Sequence, residues 1–166
     1  MSVKRIKVEN LELVAHCHAT EDVEKVKRAL MNLIPPDVRP RAMISEQRLS
    51  GYFHNPITRI SVVVLKEDAL TTLKYIISRM EPHDRNYLLL SLEQRYDRKS
   101  NKLFFRVDKK EAFMGNVVLS DGSDTIRVAV SFSLARSLRE VEALIRSLAS
   151  GEGNEDRSTN PSQDTG

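Results

Sequence analysis

The chain has 166 residues, of which 40% are hydrophobic, and a formal net charge of +3 at pH 7. No apolar run approaches the roughly 18 residues of a membrane-spanning helix, and the start, MSVKRIKV, lacks a signal-peptide core. Cys17 is the single cysteine, which excludes a disulfide within the chain and fits a reducing compartment. We therefore expect a cytoplasmic protein that does not enter a membrane.

Charge is distributed unevenly along the chain. Residues 1–150 carry 25 lysines and arginines against 19 acidic residues, a net charge of +6. Residues 151–166 are acidic and poor in apolar side chains, so we expect a disordered polar tail behind one folded domain at residues 1–150. A basic domain favours polyanions such as nucleic acid or an anionic membrane surface, although positive charge also serves solubility alone.

The chain begins with a strand pattern and then a helix pattern. Residues 3–18 alternate as in a long strand, and the apolar phase shifts near Glu9 and Asn10, which indicates a β-bulge. Thr20 is the expected N-cap of a helix that ends at Pro35.

A hairpin and a second helix follow. Residues 41–53 and 57–65 predict two strands joined by the turn His54-Asn55-Pro56. Residues 68–80 predict a helix, which Pro82 separates from the following apolar stretch. That stretch, residues 87–92, has a periodicity that favours neither helix nor strand.

The region from residue 94 to residue 115 combines strand and cap signals. Residues 94–97 and 103–107 predict a hairpin whose tip at residues 98–101 is basic. Asp108 can cap a short helix at residues 109–114 in a capping box with Glu111, and Gly115 suits its C-terminal end.

The last part of the domain predicts a strand pair and a helix. Residues 117–119 and 125–132 are expected to pair antiparallel around an Asp121-Gly122 turn. Ser137 and Glu140 form a capping box at the start of the final helix.

Hairpins interleaved with helices predict an α+β fold, a two-layer sandwich with a largely antiparallel sheet and helices on one face. The other face of the sheet would then be open to solvent. Such a face either keeps the protein soluble or binds a polyanion. Strand alternation places on it His16, His18, Arg59, Lys102, Phe104, Arg106 and Arg127.

Three segments carry a family resemblance: AHCHATEDVEKV at residues 15–26, GYFHNPI at residues 51–57, and LFFRVDKKEAF at residues 103–113 with SDG at residues 120–122. In this order they resemble small archaeal proteins described as RNA-binding proteins or predicted exosome subunits. The resemblance implies a fold similar to the large-subunit ribosomal protein that binds 5S ribosomal RNA. It implies RNA binding and supplies no catalytic residues.

A metal site has little support in the residue pattern. His16 and His18 have a spacing that zinc sites use. Cys17, however, points to the other face of the strand, and no third ligand accompanies the pair. We expect no metal.

Catalytic chemistry has equally little support. Asp108, Asp121 and Asp124 could bind magnesium, yet each is explained as a helix cap or a turn residue. The sequence has no phosphate-cradling glycine loop, no nucleophile elbow and no nucleophile with a partner base. We therefore expect neither an enzyme nor a cofactor.

These observations favour a noncatalytic RNA-binding protein that acts in RNA processing, degradation or ribosome-related metabolism. Arginine and lysine would neutralise phosphates, and histidine or phenylalanine would stack on unpaired bases. Besides the open-face residues, the candidate RNA contacts are His54, Asn55, Arg98, Lys99, Lys109 and Lys110.

The alternative is a protein-interaction module that docks on an exosome or ribosomal complex without binding RNA strongly itself. It would use its helical face or an exposed strand edge. The two hypotheses differ in one measurable way, since only direct RNA binding would need no other protein and would weaken steeply with salt.

Overall fold

The structure of the protein is a computed structural model that describes residues 6–50, 55–133 and 137–150. The expected tail at residues 151–166 and the turn residue His54 lie outside the described residues. In the part of the chain that the structure describes, no helix has the length and apolar character needed to cross a membrane.

Alternating apolar residues build a six-stranded sheet. In space the strands follow the order β2-β3-β1-β6-β5-β4, and every neighbouring pair is antiparallel. The strands are β1 (Lys7–His18), β2 (Met43–Ser50), β3 (Pro56–Leu65), β4 (Tyr96–Asp97), β5 (Lys102–Asp108) and β6 (Thr125–Ser133). The expected bulge in β1 is confirmed, since the register with β6 shifts between Val8 and Asn10.

The helices pack on one face of this sheet. They are α1 (Val23–Asn32), α2 (Lys66–Ser78), α3 (Pro82–Leu90), α4 (Leu92–Arg95), α5 (Lys109–Phe113) and α6 (Leu138–Ser150), with a 3-10 turn at Arg39–Arg41. One face of β1, carrying Leu11, Leu13 and Ala15, shares a single buried core with all six helices. The structure therefore confirms the α+β two-layer sandwich.

Helix ends follow the capping chemistry of the sequence at some positions and depart from it at others. Asp108 caps α5 as expected, because its carboxylate accepts the Glu111 N–H at 2.9 Å. At α1 the expectation of Thr20 is wrong: Asp22 is the cap, and its side chain accepts the Glu24 N–H at 3.0 Å. Thr20 instead lies in the turn that ends β1.

Two strand predictions need correction in the second half of the chain. Residues 94–97 were expected to be strand, but Leu92–Arg95 is helical and only Tyr96–Asp97 pairs with β5. Residues 117–119 do not pair with β6: Leu119 forms a single bridge with Val107 of β5. An Asp-Gly turn makes a hairpin only when the segments before and after it pair with each other. Here β6 pairs with β5 along one edge and with β1 along the other, so residues 117–119 have no free edge of β6 to pair with.

Pro82 separates α2 from the following stretch as expected, because α2 ends at Ser78 and Pro82 begins a new helix, α3. Its ring suits the first turn of a helix, where its missing N–H costs nothing. In the ambiguous stretch, residues 87–90 belong to α3, Ser91 lies in a turn, and Leu92 begins α4.

Candidate nucleic-acid interface

The strand register brings four of the expected RNA-contact residues together on the face opposite the helices, which we call the open face. His16 of β1 lies directly opposite Arg59 of β3. Arg127 of β6 lies opposite Val14 of β1 and also opposite Arg106 of β5. Directly opposed residues of antiparallel strands point to the same face, so these side chains form a band across the centre of the sheet.

The arginines of this band are not neutralised by the protein. Arg106 and Arg127 are exposed and Arg59 is half-buried. Within the described ranges, none of the three guanidinium groups forms an ion pair with a carboxylate. Because like charges directly opposite each other destabilise a sheet, the pair Arg106–Arg127 leaves a positive site suited to an anion.

An aromatic ring lies within this basic band. Phe104 of β5 is half-buried opposite Ala129, and the Arg127 guanidinium lies over its ring, 5.4 Å from the centroid. Lys102, two residues earlier on the same face, is half-buried opposite Ser131. Cation and ring together form the kind of platform on which nucleobases stack.

The two histidines reach the surface at the end of β1. Partial burial of the ring contributes most to a lowered pKa of His16, and the positive charge of Arg59 contributes next. His16 and His18 line a cavity of about 260 Å³ together with Leu49, Ile57 and Thr125. A neutral His16 imidazole can hydrogen-bond or stack without adding charge.

The two histidines do not share their face with the cysteine between them. Cys17 is 2% exposed and points into the core, and burial raises the pKa of its thiol. Among the described residues, no group of three or more His, Cys, Asp or Glu side chains has an arrangement that could hold a metal ion.

Lys109, one of the candidate RNA contacts, does not lie on the surface but is buried. Its side chain is 7% exposed, and its ammonium lies 3.1 Å from carboxylate oxygens of both Glu21 and Asp124. It also donates to the His16 carbonyl oxygen at 2.7 Å. Lys109 is thus a structural cation, whereas Lys110 is exposed.

The remaining candidates lie in exposed segments between strands. Arg98 and Lys99 are exposed in the β4–β5 turn, which Asp97 orders by accepting the Lys99 N–H and the Ser100 hydroxyl. Asn55 is exposed immediately before β3. The described contacts do not join any of these three residues to the arginine band.

The sequence interpretation missed a second set of residues beside Phe104. A cavity of about 300 Å³ is lined by Phe104, Phe105, Arg106, Arg127, Gln94, Arg95 and Asp121. Gln94 and Arg95 come from α4, and Asp121 comes from the connection between α5 and β6. Strand periodicity cannot place residues that reach the sheet from helices and connections, so no pattern in the sequence indicated them.

Comparisons with known proteins identify the family to which the chain is similar. A family model described as RNA binding matches residues 10–132. Over 128 residues the chain is 30% identical to RNA-binding protein PAB1135 of Pyrococcus abyssi, covering 76% of this chain and 82% of the relative. Over 126 residues it is 33% identical to the uncharacterized protein MJ0213 of Methanocaldococcus jannaschii, covering 75% and 85%.

Solved structures share the fold. Protein AF2318 from Archaeglobus fulgidus is similar with a TM-score of 0.71 and 28% identity, over 86% of this chain and 99% of that one. Protein SSO0741 from Sulfolobus solfataricus has a TM-score of 0.69 and 21% identity, over 83% and 98%, which supports the fold alone. With its matched segment running from β1 to β6, the chain belongs to the family of proteins described as RNA binding.

Proposed function

We propose that the chain is a noncatalytic RNA-binding protein whose open face contacts the RNA. The observation that carries this proposal is the exposed cross-strand pair Arg106–Arg127, which has no carboxylate partner within the described part of the chain. An RNA phosphate would relieve the repulsion between the two guanidinium groups and would accept their planar N–H donors. Membership in the RNA-binding family and the name of the Pyrococcus abyssi relative support RNA as the polyanion.

The rest of the band fits a single-stranded or looped RNA. Arg59 extends the positive charge to β3, and its neighbour His16 offers a ring of lowered pKa. Phe104 offers a second ring beneath Arg127. Unpaired bases stack on such side chains while the phosphates follow the arginines, and this needs no groove deep enough for a duplex.

The cellular setting belongs to the same proposal. The resemblance to predicted exosome subunits favours RNA processing, degradation or ribosome-related metabolism in the cytoplasm, with exosome or ribosomal components as partners. Similarity of the fold to the 5S-rRNA-binding ribosomal protein remains an expectation of that resemblance.

The experiment is a salt titration of RNA affinity with matched charge variants. Arg59→Gln, Arg106→Gln and Arg127→Gln would be tested singly and together by fluorescence anisotropy with labelled single-stranded and duplex RNA. Each lost phosphate contact should flatten the slope of log affinity against log salt by about 0.7 for a single strand. Circular dichroism would check that each variant is folded.

The matched control removes three exposed cations from the helical side of the molecule. Lys25→Gln, Arg48→Gln and Arg139→Gln change the net charge by the same amount. The proposal expects the open-face triple variant to lose affinity and the control to keep it. Unchanged affinity of the open-face triple variant at every salt concentration would contradict the proposal, and loss in the control alone would move the interface to the helical side.

Docking on a larger complex is the second candidate function, and one observation favours it. A groove of about 610 Å³ between α1 and α5 contains Phe113 and Met114, and the Met114 side chain is 70% exposed. Lys25 lies over the Phe113 ring, 6.0 Å from its centroid. Negligible RNA affinity of the parent protein at low salt would favour this function over direct binding.

A further inference from the structure

The cavity beside Phe104 has the residues of a nucleobase site rather than of a phosphate site alone. Its volume of about 300 Å³ is at the small end of the usual range for ligand pockets, about 300–1,000 Å³, which suits one base. One wall is the Phe104 ring with the Arg127 guanidinium over it. The lining also contains two charged side chains that the arginine band does not include, Arg95 and Asp121.

These two polar residues are held in place by the fold. Arg95 donates from Nε to the Ser91 hydroxyl at 2.7 Å, and its guanidinium lies 5.5 Å from the centroid of the Tyr87 ring. Asp121 follows Ser120, whose N–H donates to the Arg106 carbonyl oxygen at 3.0 Å. The Arg95 Nη1 and Asp121 Oδ1 atoms are 3.6 Å apart and form an ion pair, which holds a donor and an acceptor next to each other.

Side chains with this arrangement present a distinct hydrogen-bonding pattern to a base. An arginine N–H next to two carboxylate oxygens offers one donor followed by two acceptors. Guanine alone among the four RNA bases has the complementary Watson–Crick edge, which is the O6 acceptor followed by the N1 and N2 donors. Adenine and cytosine offer one amino donor to the carboxylate, and uracil offers one imide N–H.

The Asp121 carboxylate, although paired with Arg95, is accessible to a base, since its side chain is 54% exposed while that of Arg95 is 12% exposed. The same exposure makes Asp121→Asn a safe variant, because an amide keeps the shape of the carboxylate and suits the same turn. The amide replaces one acceptor oxygen with an NH₂ group, which faces the N–H donors of guanine and cannot accept a hydrogen bond from them. A positioning effect of Arg95 is harder to isolate, since Arg95 also contacts Ser91 and Tyr87.

We infer that this cavity is a guanine-selective subsite for unpaired RNA, in which Phe104 and Arg127 stack on the base and Asp121 with Arg95 reads its Watson–Crick edge. The inference rests on the proposed RNA-binding function and adds to it a base preference and two residues outside the arginine band. Phosphates flanking the bound base would lie along Arg106 and Arg127, which line the same cavity.

The test compares short RNAs that differ at one base. The heptamers UUUGUUU, UUUAUUU and UUUIUUU, where I is inosine, would be titrated by fluorescence anisotropy at low salt. The parent protein should bind the guanine heptamer about five-fold or more tightly than the adenine heptamer, the range of one bidentate base contact. Inosine lacks the N2 amine, so its heptamer should have an intermediate affinity.

Two variants distinguish a specific contact between Asp121 and the base from a general effect of removing a negative charge. Asp121→Asn should bind the guanine and adenine heptamers equally while leaving the adenine affinity unchanged or slightly raised. Glu93→Gln removes the charge of an exposed carboxylate outside the cavity lining and should keep the preference.

The outcomes distinguish this inference from the function on which it rests. Salt-sensitive binding of all heptamers with guanine and adenine affinities within about two-fold would overturn the guanine subsite and leave the proposed function standing. A preference that survives Asp121→Asn would also overturn the assignment. Failure of the parent protein to bind any heptamer or longer RNA at low salt would overturn the proposed function together with the subsite.

Discussion

The ammonium of Lys109 donates a hydrogen bond to the main-chain carbonyl oxygen of His16 at 2.7 Å, which joins the start of α5 to the end of β1. The same ammonium pairs with Glu21, and the Glu21 carboxylate in turn accepts the His18 N–H at 2.9 Å. This network fixes the end of β1, where both histidines reach the open face. Lys109 thus holds the end of β1 in place, and it also lines the same cavity as the two histidines.

Lys109→Met should therefore destabilise the protein. The His16 carbonyl would lose its donor and two carboxylates would lose their cation, although both carboxylates are partly exposed and can regain water. We expect a loss of about 1–3 kcal/mol in the free energy of unfolding, measured by urea denaturation. Lys110→Met, on the exposed neighbour, is the control, and equal stability of the two variants would contradict a structural role for Lys109.

Asp108 should stabilise the protein by capping α5 rather than by its negative charge. Its carboxylate accepts the Glu111 N–H at 2.9 Å at the start of α5. Asp108→Ala should lower the free energy of unfolding by about 1 kcal/mol, while Asp108→Asn, which retains a capping oxygen, should stay near the parent. The stabilities of the two variants can be compared by thermal denaturation. An alanine variant as stable as the asparagine variant would show that the cap contributes nothing.

The pKa of His16 should respond to Arg59. Since the positive charge opposite His16 lowers its pKa, Arg59→Gln should raise that pKa part of the way to the ordinary value of 6.5, leaving the larger effect of burial in place. The titration can be followed by NMR of the imidazole protons. Arg48→Gln, an exposed arginine on the other face of the sheet, is the control.

The lowered pKa of His16 also predicts how the stability of the protein changes with pH. A folded-state pKa below the unfolded value means that the unfolded chain binds the proton more tightly. The contribution of His16 to stability is therefore fully present above pH 6.5 and is lost as the pH falls through 6.5 to the folded-state pKa. His16→Gln should consequently show a smaller drop in melting temperature between pH 7 and pH 5 than the parent, and an equal drop would contradict this assignment.

Removing the polar tail should leave the domain intact. A chain that ends at Ser150, the last residue of α6, keeps every residue of the buried core. Its thermal midpoint should equal that of the full chain, because residues 151–166 offer almost no apolar surface to bury. A midpoint lower by more than about 5 °C would show that the tail packs on the domain.

The open face was predictable from the sequence because strand alternation has a strict period of two. Arg59, Arg106 and Arg127 each alternate with apolar residues, and all three lie on the expected face. Register between strands was not predictable in this way. It depends on which strands become neighbours, and the Asp121-Gly122 turn suggested a pairing that the position of β6 excludes.

Lys109 shows a second limit of sequence reasoning. Two adjacent lysines at the start of a short helix usually lie in solvent, and nothing local distinguishes Lys109 from Lys110. The His16 carbonyl and the Glu21 carboxylate that contact Lys109 come from the end of β1 and the segment after it, far away in the chain, and the Asp124 carboxylate comes from the connection before β6. Burial of a charge by distant partners is a tertiary property, as is the cavity that gathers Arg95 and Asp121 around Phe104.

The position of β1 in the sheet also bears on how the protein is made. β1 is synthesised first, yet it ends between β3 and β6, and β6 emerges from the ribosome only when most of the domain has been translated. Until then one long edge of β1 is unpaired beside apolar side chains, a combination that promotes association between nascent chains. A fragment ending at Asp124 should consequently scatter light at concentrations where the full chain stays clear.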